Sequence, residues 1–222
     1  MKRSEINAAL RWAEALLEAN NIRLPDMAYW SAEEWQQNSA ALATVKKVML
    51  GWDITDFGSG DFEHIGAVLY TVRNGCLSEP GVGVPYCEKY IIMKEGQRLP
   101  EHYHVFKTED IINRAGGVLE VFLWNTDKEG RQLDTPVTVY MDGIPHTFKA
   151  GEPIYVTKGN SISLTPGMAH IFGPRKGTGA LIVGEVSKVN DDNTDNYWLE
   201  PTARFADIEE DEPAARRLCN EA

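Results

Sequence analysis

From residue 51 onward the sequence alternates short runs of β-branched and aromatic residues with clusters of Gly, Pro, Asn and Asp. Runs of this length suit strands, and the turn-forming clusters between them leave no room for a long helix. The pattern predicts a mainly β fold, an antiparallel sandwich or barrel. Its clearest strand candidates are Ala67 to Val72, Lys89 to Met93, Val118 to Trp124, Val137 to Met141, Pro153 to Val156 and Ala180 to Val186.

The first 50 residues differ, because their apolar residues recur at helical spacing. One helix is predicted from Ser4 to Asn20, with an apolar face that consists of Ile6, Leu10, Ala13 and Leu17. A second begins at Ser31, where Ser31 and Glu34 form a capping-box pair, and ends before Gly51. The buried side of this second helix is predicted to consist of Trp35, Leu42, Val45 and Met49. We interpret both helices as packing elements.

At 222 residues, with 43% hydrophobic and 25% charged residues, the chain has the composition of an ordinary globular protein. All-β barrels of this length are commonly single domains. We therefore predict one domain, in which residues 1–50 form the helices, residues 51–205 the barrel and residues 206–222 an acidic C-terminal segment. That last segment is predicted to be solvated and partly helical.

The formal charge of −11 disfavours some classes of partner. An acidic protein repels polyanions, so we expect neither nucleic acid nor an anionic membrane surface to bind, and a small neutral substrate fits better. We find no signal peptide and no apolar run near the roughly 20 residues of a membrane span. Three cysteines without a CxxC spacing argue against a disulfide framework and a thiolate zinc site, so a reducing cytoplasm is predicted.

The strongest local signal is a pair of histidines two residues apart, His102 and His104, followed by Glu109. Alternate residues of a strand point to the same side, so both imidazoles can enter one cavity. Glu109 reaches that cavity only if the chain turns or bulges after His104. A fourth candidate ligand, His170, follows a segment rich in Gly and Pro that can carry it across to the first three. The alternative is that the histidine pair faces water on a metal-free barrel.

Both segments resemble the two sequence motifs of the cupin superfamily. The first has the order Gly96, five residues, His102-x-His104, four residues, Glu109, six residues and Gly116. The second has Gly159, Gly167 and His170. It departs from the family in two places, since Pro166 abuts the glycine and Pro174 stands where the family often has Asn. The resemblance implies a jelly-roll barrel that binds a metal through His102, His104, Glu109 and His170.

Three imidazoles and one carboxylate suit a divalent ion that keeps open coordination positions. Mn²⁺ is the ion we expect, and Co²⁺, Fe²⁺, Ni²⁺ and Zn²⁺ fit the same ligand types. The two remaining histidines, His64 and His146, have no partner at ligand spacing, and we interpret them as surface or packing residues.

Longer strings resemble a narrower group, the cupin-type D-lyxose ketol-isomerases. These strings are Glu-His-Tyr-His-Val-Phe-Lys-Thr-Glu-Asp (101–110), Gly-Glu-Val-Ser (184–187) and Asn-Asp-Asp-Asn-Thr-Asp-Asn (190–196). The N-terminal helices and the acidic end share the resemblance. It implies a homodimeric isomerase that interconverts D-lyxose and D-xylulose, and also D-mannose and D-fructose, through an enediol intermediate.

That chemistry needs a base to move a proton between C2 and C1 of the sugar. A carboxylate in a partly dry barrel can have its pKa raised into a useful range. Glu185, within an apolar strand, and Glu200 are the candidate bases. Lys107, between two metal-ligand positions, is a candidate both to stabilise the enediolate and to bind substrate. Alternatively Lys107 is a solvated loop lysine, and Glu200 pairs with Arg204.

Asp195 and Arg204 are the other candidates for binding the sugar hydroxyls. Asp195 lies in the Asn/Asp-rich stretch 190–196, which can instead be a turn stabilised by Asx-type hydrogen bonds. Two further functions stay open because cupins carry many chemistries. One is a cupin dioxygenase that uses iron and oxygen, and the other is a non-catalytic sugar-binding cupin.

Overall fold

The structure is a computed structural model that describes residues 1–192 and 194–221, and at residue 41 the backbone alone. The N-terminal part contains α1 (Arg3–Ala19), a short 3-10 helix (Asp26–Tyr29), α2 (Ala32–Gln37) and α3 (Ser39–Lys47). The strands of the described residues are β1 (Gly51–Thr55), β2 (Ala67–Gly75), β3 (Gly83–Met93), β4 (His102–Tyr103), β5 (Glu109–Gly116), β6 (Leu119–Thr126), β7 (Gln132–Leu133), β8 (Val137–Met141), β9 (Ile144–Phe148), β10 (Ile154–Val156), β11 (Ser161–Leu164), β12 (Met168–Pro174), β13 (Leu181–Ser187) and β14 (Tyr197–Trp198).

Within the described part of the chain, these strands form two antiparallel sheets. The larger has eight strands in the order β1-β2-β3-β13-β5-β11-β8-β9. The smaller has the order β10-β6-β12-β4-β14, with β7 paired to β6. The predicted mainly β cupin barrel with N-terminal helices is therefore confirmed.

The larger sheet separates two cores, because successive side chains of a strand point to opposite faces. Ile91 of β3 and Val183 of β13 point into the barrel, where they join Leu123 and Phe172 from the smaller sheet. Ile92, the next residue of β3, instead joins the apolar core that the N-terminal helices form on the outer face, with Ile6, Leu10, Ala13 and Leu17. The helices thus cover the sheet and leave the interior of the barrel to the site.

The first predicted helix is confirmed as α1, and its predicted apolar face is buried. The second prediction is wrong in its extent, because two helices stand where one was expected. Ser31 caps α2 as predicted, accepting the N–H of Glu34 at 3.2 Å. The chain then leaves the helix at Asn38, whose side-chain amide donates to the Glu34 carbonyl at 2.8 Å. Among the described residues, no helix is long and apolar enough to cross a membrane.

The predicted buried side of this helical stretch is only partly confirmed. Trp35 is buried, whereas the other three residues of that side, Leu42, Val45 and Met49, are half-buried. Helix α3 ends at Lys47, ahead of Met49, which adopts a left-handed φ of 55°. The turn there starts the crossing into β1, so the helix stops before the residue expected to end it, Gly51.

The C-terminal segment is solvated along its acidic run, as predicted, since residues 209–212 are exposed, but the prediction that it is partly helical is wrong. Residues 205–221 contain no helix, and Leu218 and Cys219 are buried. The N–H of Cys219 donates to the Trp52 carbonyl at 2.7 Å. Arg3, also buried, pairs with Glu210 at 2.6 Å. The acidic residues therefore serve as acceptors for the start of α1, while Ala222 lies outside the described residues.

Candidate metal centre and active site

Three histidines meet inside the barrel on the inner face of the smaller sheet. His102 of β4 lies opposite His170 of β12 in the strand register, and His104 follows two residues later. All three are buried, and one ligand nitrogen of each lies within 4.8 Å of the others. Gly167, with a left-handed φ of 81°, donates its N–H to the His104 carbonyl at 2.8 Å. The glycine of the second motif thus joins it to the first, as predicted.

The hydrogen bonds of these rings determine which nitrogen faces the interior. The Nδ1 atoms of His102, His104 and His170 lie 2.9, 2.6 and 2.9 Å from the carbonyl oxygens of Pro100, Asp195 and Met168, respectively. A carbonyl only accepts, so each Nδ1 must carry a proton, and in the neutral ring the lone pair is then on Nε2. Burial, followed by the other two histidines, holds the pKa of His102 well below its usual value. Neutral imidazoles with free Nε2 atoms are the form that binds metals.

The residues fit a divalent metal ion. The Nε2 atoms of His104 and His170 are buried without a hydrogen-bond partner among the described residues. Glu109 Oε1 lies 3.4 Å from the first and 3.3 Å from the second. Ligands bound to one ion at about 2.1 Å stand roughly 3 to 3.5 Å apart, so these separations suit a shared ion. The three predicted histidine ligands therefore form one cluster, and Glu109 lies next to two of them, His104 and His170.

A cluster of charged side chains, Lys107, Glu109 and Glu185, lies beside the histidines on the larger sheet and its adjoining turn. Lys107 Nζ lies 2.9 Å from Glu109 Oε2, and it donates to Glu185 Oε1 and to Asn190 Oδ1 at 3.2 Å each. Burial would lower the pKa of Lys107, but the charges of Glu109 and then Glu185 outweigh burial and raise it above its ordinary value. Lys107 is 5% exposed, so the alternative of a solvated loop lysine is wrong.

Glu185 is held between two lysines. Its Oε2 accepts from Lys89 Nζ at 3.4 Å, its Oε1 accepts from Lys107, and Ser187 Oγ donates to the same Oε1 at 3.1 Å. Burial would raise the pKa of Glu185, but the Lys107 and Lys89 charges lower it below its ordinary value. The expectation of a raised pKa is therefore wrong for this carboxylate, which is ionised at neutral pH.

His102, Lys107, Glu109 and Glu185 line one cavity between the sheets, and the rings of His104 and His170 lie next to that of His102. Apolar side chains complete it, among them Phe57, Leu99, Phe172 and Trp198. The Trp198 ring lies 4.8 Å from the His102 ring, centroid to centroid. The arrangement offers an aromatic surface beside a polar, partly dry reaction site.

Arg204 lines the same cavity as Lys107, Glu109 and Glu185. One of its guanidinium nitrogens lies 2.7 Å from Asp53 Oδ2 and 3.1 Å from Asp192 Oδ2. Burial would lower its pKa, but Asp53 and then Asp192 raise it. The other terminal nitrogen, NH1, is buried without a hydrogen-bond partner among the described residues. That donor is free for a ligand, and the predicted pairing of Arg204 with Glu200 is replaced by these two aspartates.

Two predicted site residues take other positions. Asp195 is buried, but both of its carboxylate oxygens accept backbone N–H groups of residues 105–107. These bonds join two segments that are distant in sequence, so they are neither contacts to a sugar nor the local Asx-type bonds that were the alternative. Glu200 is exposed and is not among the residues that line the cavity, because it follows β14 on the outer side. Asn193, in the same predicted sugar-binding stretch, lies outside the described residues.

Lys89 lines the cavity and was not singled out from the sequence, whereas Asp192 and Asn196, which also line it, belong to the stretch 190–196 that was. Lys89 carried a usable signal, because it alternates with Cys87 and Ile91, which are buried inward-facing residues of β3. A charged residue at an inward strand position is costly unless it faces a partner or a cavity. The same argument had selected Glu185.

Comparison with known proteins gives a consistent result along the whole chain. The family model for D-lyxose isomerase matches residues 1–222. A D-lyxose/D-mannose isomerase of Escherichia coli O157:H7 is 42% identical over 222 residues, which is 100% of this chain and 98% of that protein. A second, from Serratia proteamaculans, is 41% identical over 100% of this chain and 97% of its own.

Solved structures agree in fold. The L-ribose isomerase of Acinetobacter sp. DL28, in complex with L-ribose, superposes with a TM-score of 0.62 at 16% identity, covering 94% of this chain and 98% of that one. The L-ribose isomerase of Cellulomonas parahominis has a TM-score of 0.56 at 17% identity, with the same coverage. At these identities the likeness concerns the barrel and its N-terminal helices.

Proposed function

The chain belongs to the D-lyxose isomerase family and is an aldose–ketose isomerase, and we propose that it interconverts D-lyxose with D-xylulose and D-mannose with D-fructose. The relatives that are more than 40% identical carry the name D-lyxose/D-mannose isomerase. The two aldoses have the same configuration at C2, C3 and C4, and D-mannose has one carbon more. One site can therefore act on both at C1 and C2 if it tolerates the extra carbon at the far end.

The observation that carries the proposal is the pairing of a metal-ligand cluster with an ionised base in one cavity. His102, His104, His170 and Glu109 would hold a divalent ion, which we propose to be Mn²⁺. When bound, such an ion supplies a Lewis acid that polarises the sugar oxygens next to C1 and C2. Glu185 stands across the cavity from the histidines, joined to Glu109 through Lys107.

We assign the proton transfer to Glu185. As an ionised carboxylate it can take the proton from C2 of the aldose and return it to C1, while the proton of the C2 hydroxyl passes to O1, which gives the ketose through an enediol. Lys107, a protonated donor 3.2 Å from Glu185 Oε1, can donate a hydrogen bond to the enediolate oxygen as negative charge develops there. Lys89 holds the carboxylate in its ionised form from the other side.

Arg204 is the proposed ligand of the sugar hydroxyls beyond C2. Its free NH1 group is a buried donor, and a hydroxyl would satisfy it. Arg204→Lys removes the forked geometry while it keeps the charge. We expect KM for both aldoses to rise about tenfold, the equivalent of one hydrogen bond to a charged group, with bound metal unchanged. An unaltered KM would contradict this assignment.

Assembly and compartment are further parts of the proposal. We propose a homodimer in a reducing cytoplasm, where the three free cysteines Cys76, Cys87 and Cys219 stay reduced. Sedimentation at several protein concentrations measures the dimer directly.

A sugar panel tests the reaction. Metal-free protein is reconstituted separately with Mn²⁺, Co²⁺, Fe²⁺, Ni²⁺ and Zn²⁺, and each sample is assayed on pentoses and hexoses. We expect D-lyxose to give D-xylulose and D-mannose to give D-fructose, with deuterium from the solvent incorporated at C1 of the ketose, because the proton is carried by a side chain that exchanges with water. Failure of every reconstituted sample to isomerise any sugar would contradict the proposal, and oxygen consumption instead would indicate a dioxygenase.

A further inference from the structure

Asp195 is not among the residues that line the cavity. It is hydrogen-bonded to one candidate metal ligand, His104, and to the backbone of Lys107. Its Oδ1 accepts the backbone N–H groups of Val105 and Phe106 at 2.8 and 2.9 Å, and its Oδ2 accepts that of Lys107 at 2.8 Å. Asp195 as a whole is 5% exposed. Three successive N–H groups that converge on one carboxylate form an anion-binding concavity, and charge-assisted bonds of this kind are the strong ones.

The segment that these bonds hold connects the metal ligands to the lysine. Residues 105–107 follow His104 and precede Glu109, and Lys107 is their last member. The side chains of Val105 and Phe106 are exposed, 42% and 65% respectively, so apolar burial contributes little to fixing this turn. The backbone bonds to Asp195 are therefore a main constraint on where Lys107 emerges.

The main chain of Asp195 acts on the other side of the same turn. Its carbonyl oxygen lies 2.6 Å from His104 Nδ1 and accepts that proton. One residue thereby fixes the tautomer and ring direction of His104 through its carbonyl, and the position of Lys107 through its carboxylate.

We propose that Asp195 is a positioning residue that holds His104 and Lys107 in their working geometry, instead of a ligand of the sugar. Both carboxylate oxygens are already occupied by the main chain, which leaves no oxygen directed at the cavity. The part of this inference that concerns turnover rests on the proposed function of Lys107, whereas the part that concerns His104 and the turn does not.

Asp195→Asn is the sharpest test, because the side chain keeps its size. The amide has one oxygen and one NH₂ group, so at least one of the three backbone donors then faces a donor. Loss of such supporting contacts typically costs 10- to 100-fold in metal affinity or activity. At saturating metal we expect kcat to fall by about that factor, with KM changed less than about threefold because no contact to the sugar is lost.

Thr194→Val is the matched control from the same turn. Thr194 is exposed, and its Oγ1 donates to Asp191 Oδ2 at 2.8 Å, so this variant also loses one hydrogen bond of the loop. We expect its kcat and metal affinity to match the wild type. A loss equal to that of Asp195→Asn would mean that any disturbance of the loop suffices, and would overturn the assignment to Asp195.

A double-mutant cycle with Lys107→Met separates positioning from general damage. If Asp195 acts on turnover through Lys107, Asp195→Asn should lower kcat about 10- to 100-fold in the wild type but less than about threefold in the Lys107→Met background. An equal loss in both backgrounds would overturn that route.

Two readouts do not require turnover. In the wild-type protein without metal, the amide hydrogens of residues 105–107 should exchange slowly with solvent although Phe106 is exposed. Competition with a metal chelator should give a 10- to 100-fold weaker Co²⁺ affinity for Asp195→Asn than for Thr194→Val. Fast exchange of these amides in the wild type would overturn the proposal without any variant. If no sugar is isomerised, the proposed function fails, and these two measurements still decide the role of Asp195.

Discussion

The two walls of the cavity are built in opposite ways. The histidine wall consists of His102, His104 and His170 and comes from the smaller sheet and the turn after β4. The Nε2 atoms of His104 and His170 are buried without hydrogen-bond partners among the described residues. The charged wall comes from the larger sheet and its adjoining turn, and consists of Lys89, Lys107, Glu109 and Glu185. Its two cations and two carboxylates pair with one another. The histidine wall thus has buried nitrogens that could bind an ion, whereas the charges of the other wall are paired within it.

This difference indicates that the two walls have different roles, one in binding an ion and the other in keeping a base ionised. Buried polar atoms without partners are costly, so the histidine wall gains most from a ligand that accepts three lone pairs. The charged wall keeps Glu185 ionised by means of its own two lysines, Lys107 and Lys89. Glu109 belongs to both walls, with Oε1 toward the histidines and Oε2 toward Lys107. Substitutions in the histidine wall should therefore remove the bound metal, whereas substitutions in the charged wall should lower kcat and keep the metal.

The largest effect is expected from breaking the histidine wall. His170→Ala should abolish bound metal and lower kcat/KM about a thousandfold or more, because a Lewis acid is worth several kcal/mol of transition-state stabilisation. Elemental analysis and the D-lyxose assay measure both quantities. His146→Ala is the control, since His146 is exposed on β9. Unchanged metal content in His170→Ala would show that the cluster is not the metal site, and a chelator should reproduce its loss of activity in the wild type.

Breaking the charged wall at Glu185 should leave the metal and remove the base. Glu185→Gln is expected to lower kcat by about 10²- to 10⁴-fold, the usual contribution of a positioned general base, with metal content within error of the wild type. Deuterium exchange into the sugar should fall by the same factor. Full turnover in this variant would mean that the proton is carried by another group.

A smaller and more specific effect is expected from Lys89→Met, because this change alters the pKa of the base and removes no reacting group. Burial raises the pKa of Glu185, and Lys107 and Lys89 lower it, so loss of one lysine shifts that pKa upward. As the pH is lowered, Glu185 of this variant therefore becomes protonated at a higher pH than Glu185 of the wild type does. The acid limb of the kcat/KM profile should move to higher pH than in the wild type.

The exposed control for this profile is Lys128→Met. The same linkage affects stability, because a carboxylate with a depressed pKa stabilises the fold above its unfolded-state pKa, and this contribution is lost as the pH falls through the depressed value. An acid limb that stays in place in Lys89→Met would contradict the role of Lys89.

The sequence predicts the histidine wall better than the charged wall, for a physical reason. His102 and His104 are related by strand alternation, a local rule that needs only the two residues. The pKa of Glu185 is lowered by Lys107 and then by Lys89. Lys89 is its cross-strand neighbour in β3 and lies 96 residues away in the chain. Without that pairing, only the burial of Glu185 could be foreseen, and burial alone predicts the wrong direction. The role of Asp195 could not be predicted for the same reason, since the three N–H groups that it accepts lie in a turn about 90 residues away.

The smallest effect is expected at Glu200, the other carboxylate that the sequence offered as a base. It is exposed and stands apart from both walls, so Glu200→Gln should leave metal content unchanged and kcat within about twofold, as is usual for surface substitutions. The charge removed is the same as in Glu185→Gln, and the two variants therefore differ only in where the carboxylate stands. A loss at Glu200 comparable to that at Glu185 would mean that the segment after β14 moves inward when sugar binds. The charged wall would then be only one half of the proton-transfer machinery.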